Sequence, residues 1–477
     1  MVMGDMEMNT DLLVIGGGPG GYAGAFRAAD LGLDVIMVDT NQRPGGVCLH
    51  TGCIPSKTLL QLAELLLDAR EAKSRGICFG EPQLDLAAMR GWQERVVDTM
   101  AEGLVRLTGH RGILRVQGLA RFASATAVRL EGAEISRIRF KKAIIATGSR
   151  PLGLPGVAFV PGGRIMDAAA ALRLPDIPKT LLVVGGGYVG LELGSIYGAL
   201  GSQVTVMEQQ ERLLAQVDPD LVEPLQRRLA TLFADILLKV EIDGLLEENG
   251  AVRVSFRHKG IKKQGCFDRV LVAVGRVPNS DGLGLEHTAV TLDSRGFIQI
   301  NERQETADPH LYAVGDVAGG VMLAHKATRE GRVAAEVCSG KNGAFDARII
   351  PAVVYTDPQI SWCGLTEQQA LAENIPYGVQ KFPWKYSGRA QTMGMTDGLT
   401  KLLTEHTTGR ILGVGITGRH AEGIISEAAL AIEMGALAED LALTIHPHPT
   451  LSETVAEAAE IFLGSPTHVL PSRKKSA

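Results

Sequence analysis

The chain is poor in aromatic residues, at 5%, and has no excess of either charge: 48 Lys and Arg stand against 53 Asp and Glu, a formal net charge of −5. So few stacking rings and so even a balance exclude nucleic acid as an expected partner. Cysteine is scarce as well. Six in 477 residues do not make a disulfide framework, and a cytoplasmic setting is the expectation. The first ten residues lack the apolar core of a secretory signal and the Arg- and Ser-rich character of a transit peptide. The most apolar run, 180–207, carries Glu192 and seven glycines. It reads as a nucleotide-binding strand, turn and helix, so no membrane association is expected.

What the chain does have is glycine, 57 residues of it, much of it clustered at strand-to-helix corners. Asp11–Ile15 is a buried-strand pattern that runs into Gly16, Gly18 and Gly21, an Ala-rich helix, and a second strand ending at Asp39. Gly16 makes the turn, Gly18 lets backbone approach a pyrophosphate, and Gly21 lets the helix pack close to the strand. Asp39 is placed to accept hydrogen bonds from a ribose. The pattern returns 169 residues later as Gly185, Gly187 and Gly190, with Glu208 again 23 residues after the first glycine. Two matched copies predict two bound dinucleotides. A carboxylate at Glu208 favours the ribose hydroxyl of NAD over the 2′-phosphate of NADP, and Arg212 is the nearest cation in sequence.

The length suggests roughly two to four domains. Lys142–Pro151 and Val270–Pro278 are similar strand exits marked by Thr147-Gly148 and Gly275. The chain therefore reads as one nucleotide-binding domain inserted into another, with 151–278 the insert and 1–150 plus 279–345 the host. Leu311–Val314 is the expected returning strand of the host, with Asp316 at its carboxyl end, where open α/β sheets bind ligands. A turn-forming acid after glycine is the alternative reading of Asp316.

Cys48 and Cys53 lie in the segment GGVCLHTGCIPSK at 45–57. In a continuous helix, positions five apart are roughly 8 Å from each other, beyond the ~7 Å that a disulfide spans. Only a locally tightened backbone at Gly46 and Gly52 lets the pair meet; on spacing alone, two thiols that never meet is an open alternative. Residues 58–75 read as an amphipathic helix. The other cysteines lack metal-ligand spacing, and no metal is expected. His448 is followed five residues later by Glu453 in HPHPTLSE at 446–453, and a histidine among prolines is by itself most often a loop residue.

Together these motifs resemble the flavin-dependent pyridine nucleotide–disulfide oxidoreductases, from about residue 10 to about 463. The resemblance implies an α/β fold of two Rossmann-like domains, the NAD domain inserted in the FAD domain, followed by an α+β dimerisation domain over 346–477. It implies FAD at Gly16–Asp39, Thr147-Gly148 and Asp316, and NAD at Gly185–Glu208 with Gly275. It implies a redox-active Cys48–Cys53 disulfide, Cys53 beside the flavin and Cys48 facing substrate. His448 is the implied base, oriented by Glu453 and serving the other subunit of a homodimer, with Lys57 and Glu192 an ion pair near the flavin. The implied reaction is NAD-dependent oxidation of dihydrolipoyl groups on lipoyl domains of acyltransferases or glycine cleavage carrier proteins. An NADPH-dependent disulfide reductase of the same fold and a non-catalytic flavoprotein subunit are the alternatives; Glu208 opposes the first, and the joint presence of Cys48, Cys53, His448 and Glu453 the second.

Several positions depart from the common family pattern. His50-Thr51 lies between the cysteines, where the imidazole is expected to act on the thiols. Asp39 stands in place of a longer glutamate, Pro447 in place of a small residue, and Asp357 and Gln359 in place of His and Glu. Ser465–Ala477 reads as a solvated basic tail.

Overall fold

The computed structural model describes residues 6–470. Three sheet systems share the chain. The first is organised around Glu7–Ile15, whose Leu12, Leu13 and Val14 are fully buried on both faces, as a central parallel strand requires. Its parallel neighbours are Val35–Asp39 and Arg137–Ile145. Leu114–Gln117 extends one edge, and a hairpin of Leu119–Ser124 and Ala127–Glu131 extends the other. Leu311–Ala313 returns from far along the chain to pair with the carboxyl half of Arg137–Ile145.

A second, wholly parallel sheet runs in the order Asp235–Leu237, Gln203–Met207, Thr180–Val184, Arg269–Val272, Ile165–Met166. An antiparallel meander over Val240–Phe267 packs on it. The chain enters and leaves this unit side by side, because Ser149–Pro151 pairs antiparallel with Arg276–Pro278. The third system is a five-stranded antiparallel sheet between Ala352 and Gly418, covered by helices Ala421–Met434 and Glu453–Leu463.

The apolar run at 180–207 is strand Thr180–Val184, a glycine turn, helix Tyr188–Leu200 and strand Gln203–Met207. Among the described residues no helix is long and apolar enough to cross a membrane. The helix expected over 58–75 begins earlier, at Cys53, and runs to Glu71 before a tighter turn over Ala72–Arg75. Part of the expected solvated tail, 471–477, lies outside the described residues. Ser465, Thr467 and His468 are exposed, as expected of a solvated tail, and Thr467 and His468 are in addition fastened to Glu460 and Glu457 of the preceding helix. Local polarity in the sequence does not show that these carboxylates lie within reach.

The second unit is tied to the third by charge. Lys401, 1% exposed, places its ammonium 2.8 Å from Asp218 and 2.9 Å from Asp220 and against Glu367, while Lys381 lies 2.6 Å from Asp220. The three carboxylates converge as metal ligands do, but a lysine already sits among them. Removing one partner of such a buried cluster leaves uncompensated charge. Lys401→Met is expected to destabilise the protein by about 3–5 kcal/mol, read as a lowered denaturation midpoint; an unchanged midpoint would show that the cluster is not a structural tie.

Candidate active site

The two glycine loops have the same geometry. A Cβ on Gly16 would lie 2.2 Å from the Ala146 carbonyl oxygen, and one on Gly185 2.3 Å from that of Ala273. A Cβ on Gly21 would lie 1.8 Å from the Gly16 oxygen, and one on Gly190 2.1 Å from that of Gly185. No side chain fits these crossings, so each helix comes down directly on its strand. Gly187, by contrast, faces free space, and a Cβ on Gly18 would make only an ordinary 3.9 Å contact with Gly46 Cα; both lie at helix N-termini, where unpaired N–H groups can meet phosphate. The acids ending the second strands are oriented alike. Asp39 accepts from the Gly17 N–H at 2.5 Å and the Asn41 N–H at 2.6 Å; Glu208 accepts from Gly186 at 2.5 Å and Gln210 at 2.6 Å.

The first loop opens into a cavity of about 570 Å³ that runs from Asp39 past Gly18 to Cys48, Cys53 and Lys57. Its size and its lining, which joins glycine backbone and Asp39 with apolar side chains such as Leu172 and Leu193, fit a dinucleotide carrying a large ring, as FAD does. Thr147, Gly148 and Asp316 line its middle. Asp316 accepts from Ser149 Oγ at 2.5 Å, and Arg276 donates to Ser149 Oγ at 2.7 Å and to its carbonyl at 2.6 Å. Ser149 and Arg276 were not singled out from sequence; their signal was the repeated exit, since the two exits form one ladder. Gly275, beside Arg276, takes φ of +132°, a conformation that side chains disfavour.

The cysteine segment is two helices with a break between them. Gly46–Thr51 carries Cys48, and Cys53–Glu71 begins at Cys53. A Cβ on Gly46 would lie 2.6 Å from Gly18 Cα, and one on Gly52 2.9 Å from the Val47 oxygen. Gly46 is therefore required where the cysteine segment meets the first glycine loop, and Gly52 where that segment turns from one helix into the next. The break at Gly52 brings the two sulfurs together as separate thiols, with the Cys48 S–H donating to Cys53. That hydrogen bond, and then the Lys57 ammonium, outweigh burial and lower the Cys53 thiol to about 7. The first turn of a 19-residue helix favours the thiolate further. Cys48 is pushed the other way, first by donating to Cys53 and then by burial. Cys53 is open to the cavity rather than to bulk water. His50 spends its Nε2 on the carbonyls of Arg43 and Pro44, so its visible role is to hold the loop before Cys48.

Lys57 Nζ lies 2.8 Å from Glu192, whose side chain is 4% exposed and whose other oxygen accepts from the Tyr355 N–H at 3.0 Å. The same ammonium lies 4.3 Å from the Tyr355 ring centroid. The helix beginning at Cys53, the helix of the second glycine loop and the C-terminal sheet system thus meet at one buried carboxylate. The departures nearby have partners: Asp357 pairs with Arg228, and Gln359 accepts from the Glu422 N–H.

His448 and Glu453 stand apart from this cavity. His448 Nδ1 is 2.8 Å from Glu453 Oε1, and Glu453 Oε2 accepts from the Thr450 N–H at 2.6 Å. The imidazole is 71% exposed and does not line the chain's own cavity. A buried relay fixes the helix that bears Glu453: Trp384 donates to Thr400, Thr400 to Thr454, and Thr454 to the Leu451 carbonyl. His446 has its own partner, Glu427 at 2.7 Å.

Two glycine-loop units flanking a dithiol define a nucleotide-dependent disulfide oxidoreductase. The chain belongs to the pyridine nucleotide-disulphide oxidoreductases, whose family model matches residues 10–331, with the family's dimerisation domain matching 350–459. That family uses FAD and NAD, and its dimerisation domain supports a homodimer. Similar curated proteins are the dihydrolipoyl dehydrogenases of Vibrio parahaemolyticus, 42% identical over 98% of both chains, and Geobacillus stearothermophilus, 41% identical over 98% of this chain and 100% of that one. Among solved structures, LpdA from Mycobacterium tuberculosis is 25% identical, with TM-score 0.86 over 94% of this chain and 99% of the other. The HOCl-induced flavoprotein disulfide reductase RclA from Escherichia coli is also 25% identical, with TM-score 0.83 over 93% and 98%.

In the reduced protein, ultraviolet thiolate absorbance is expected to rise in a step near pH 7 that belongs to the coupled pair. Lys57→Met and Cys48→Ala each remove a stabilising partner of the thiolate and are expected to move that step upward. A first step near the ordinary thiol value of about 8.5 in the unsubstituted protein would contradict the assignment.

Proposed function

We propose that the chain is a dihydrolipoyl dehydrogenase: it oxidises dihydrolipoyl groups, reduces NAD⁺ and works through a Cys48–Cys53 disulfide. The observation that carries this reading is the unequal dithiol at the mouth of a flavin-sized cavity, Cys53 favouring the thiolate and Cys48 the thiol. The relatives' shared name supplies the substrate.

The two cysteines divide the exchange between them. His448 has Nδ1 engaged by Glu453, leaving Nε2 to take a proton from one substrate thiol. The substrate thiolate attacks Cys48 Sγ, the Cys48–Cys53 bond breaks, and Cys53 departs as thiolate. A low-pKa thiol is the better leaving group, which favours this direction of attack. The second substrate thiol then attacks the sulfur joined to Cys48, closing the substrate disulfide. Cys48, whose proton is firmly held, leaves by taking the proton stored on His448, and the freed Nε2 accepts the proton of the second attacking thiol, so the two substrate protons end on Cys48 and His448 with Cys53 as thiolate. Lys57 and Glu192 are positioning residues that keep a cation beside the Cys53 thiolate. FAD, when bound, supplies the two-electron relay from the dithiol to NAD⁺.

For the second nucleotide, Glu208 disfavours a 2′-phosphate. Arg212 does not offset it, since its guanidinium donates to the Ala215 carbonyl and Gln368, each at 2.6 Å. The exposed His448, outside its own cavity, supports a base that serves the partner's disulfide. Exposed Leu430, Met434, Leu443 and Ile445, the last 96% exposed, support an interface on the same side. In this reading the host FAD domain comprises 1–150 and 279–345, the NAD domain 151–278 and the dimerisation domain 346–477. The physiological partners are lipoyl domains of acyltransferases or glycine cleavage carrier proteins, in the cytoplasm.

Flavin-loaded protein is expected to reduce NAD⁺ with dihydrolipoamide and to leave NADP⁺ almost untouched. Cys48→Ser should abolish this turnover with FAD still bound, and His448→Gln should lower kcat/KM by about 10²–10⁴-fold, the usual worth of a general base. Full dihydrolipoamide turnover in Cys48→Ser would overturn the reading.

A further inference from the structure

The C-terminal helix Glu453–Leu463 carries three carboxylates along one side, Glu453, Glu457 and Glu460, at helical spacings of four and three. Each holds a residue of a flanking loop. Glu453 holds His448 and the Thr450 N–H from the loop before the helix. Glu460 accepts from the N–H and Oγ of Thr467, at 2.9 and 2.8 Å, from the loop after it. Glu457, between them, holds His468 Nδ1. The chain reverses at Gly464, at φ of +76°, where the Ser465 N–H closes on the Glu460 carbonyl. The second imidazole is thereby brought alongside the helix turn adjoining the first. Glu457 is 9% exposed, and its Oε2 is buried without a hydrogen-bond partner.

We propose that His468 is a positioning residue for the reaction: its positive charge neutralises Glu457, so that Glu453 is the one carboxylate of this helix whose charge acts on His448. This rests on the assignment of His448 as the base. Without His468, a second carboxylate one turn away would add to the pull of Glu453 and hold His448 as the imidazolium. The hydrogen bond that His468 Nδ1 donates to Glu457, opposed by burial and aided by the charges of Glu457, Glu453 and Glu460, raises the His468 pKa. His468 thus keeps its cation to higher pH than an ordinary histidine.

Most charges on the elements packed around the helix have other partners; Glu439 has none among the described residues, and it is common to every variant compared below. Asp440 of the neighbouring helix caps the Leu437 N–H, beside Glu439. Lys381 and Lys401 of the underlying strands are held by Asp218, Asp220 and Glu367. In the loop before the helix, His446 is paired with Glu427. Arg389, next to the Gly388 that approaches His448, donates to Thr392.

The test is the pH profile of kcat/KM for dihydrolipoamide, measured on the flavin-loaded homodimer and on His468→Gln, Glu457→Gln and the double variant. A unit charge about 8 Å away moves a pKa by about half a unit at a dielectric intermediate between protein surface and water. His468→Gln removes a cation and uncovers an anion, so the acid limb is expected to rise by about half a unit or more. Glu457→Gln leaves the cation unopposed, and the limb should fall. The double variant should return close to the original. Single-variant shifts of the same sign, or none, would overturn the proposal, because loss of packing alone has no charge-dependent sign. If the unsubstituted protein does not oxidise dihydrolipoamide, the functional reading fails instead. The inference is then judged by the His448 pKa from NMR titration of the same variants, with the same signs expected.

Discussion

A buried carboxylate fixes the geometry of the whole site. Glu192 lies in the second nucleotide unit, almost sealed from solvent, and an ionised carboxylate there is tolerable only if its oxygens are occupied. One oxygen takes the Lys57 ammonium from the redox helix, and the other takes the Tyr355 N–H from the C-terminal system. Three separately built sheet systems are thereby held at one point, and that point adjoins the reacting sulfurs. The helix beginning at Cys53 is fastened again further along, where Arg228 bridges Glu71 and Asp357 and Arg419 pairs with Glu64 and Asp68. Thiol chemistry requires sulfurs placed to a fraction of an ångström, and this ionic spine supplies that rigidity.

The inequality of the two cysteines follows from that placement. Lys57 acts on both thiols, yet Cys53 alone begins a 19-residue helix and has the S–H of its neighbour directed at it. Cys48 is the donor, and so keeps its proton. A symmetric pair would leave the direction of attack undecided. This one has a sulfur suited to be attacked and a sulfur suited to leave.

Much of this was legible in the sequence, because it rests on glycines that admit no substitute. Gly16, Gly21, Gly185 and Gly190 lie where a Cβ would collide with a carbonyl oxygen, and their fixed spacing announces the fold. Asp39 and Glu208 were legible through their matched offsets. Other features depend on residues distant in the chain. That Ser149 would bridge Asp316 and Arg276 requires knowing that two exits, over a hundred residues apart, form one ladder. The same limit hid the cage around Lys401 and the fastening of His468 to Glu457. His50 shows the same limit: from sequence its ring lies near the cysteines, and only the fold shows that its Nε2 turns to the carbonyls of Arg43 and Pro44.

In the proposed reaction the dithiol of one subunit works with His448 of another. That pairing is tested most directly by complementation. Cys48→Ser and His448→Gln homodimers, each inactive, are dissociated, mixed and reassociated, and NAD⁺ reduction by dihydrolipoamide is measured. If the base acts across the interface, half of the dimers formed at random are mixed, and each has one intact site of two. Activity should then recover to on the order of a quarter of the unsubstituted level. If base and dithiol belong to the same chain, no mixed dimer contains an intact site, and the mixture would stay as inactive as its components.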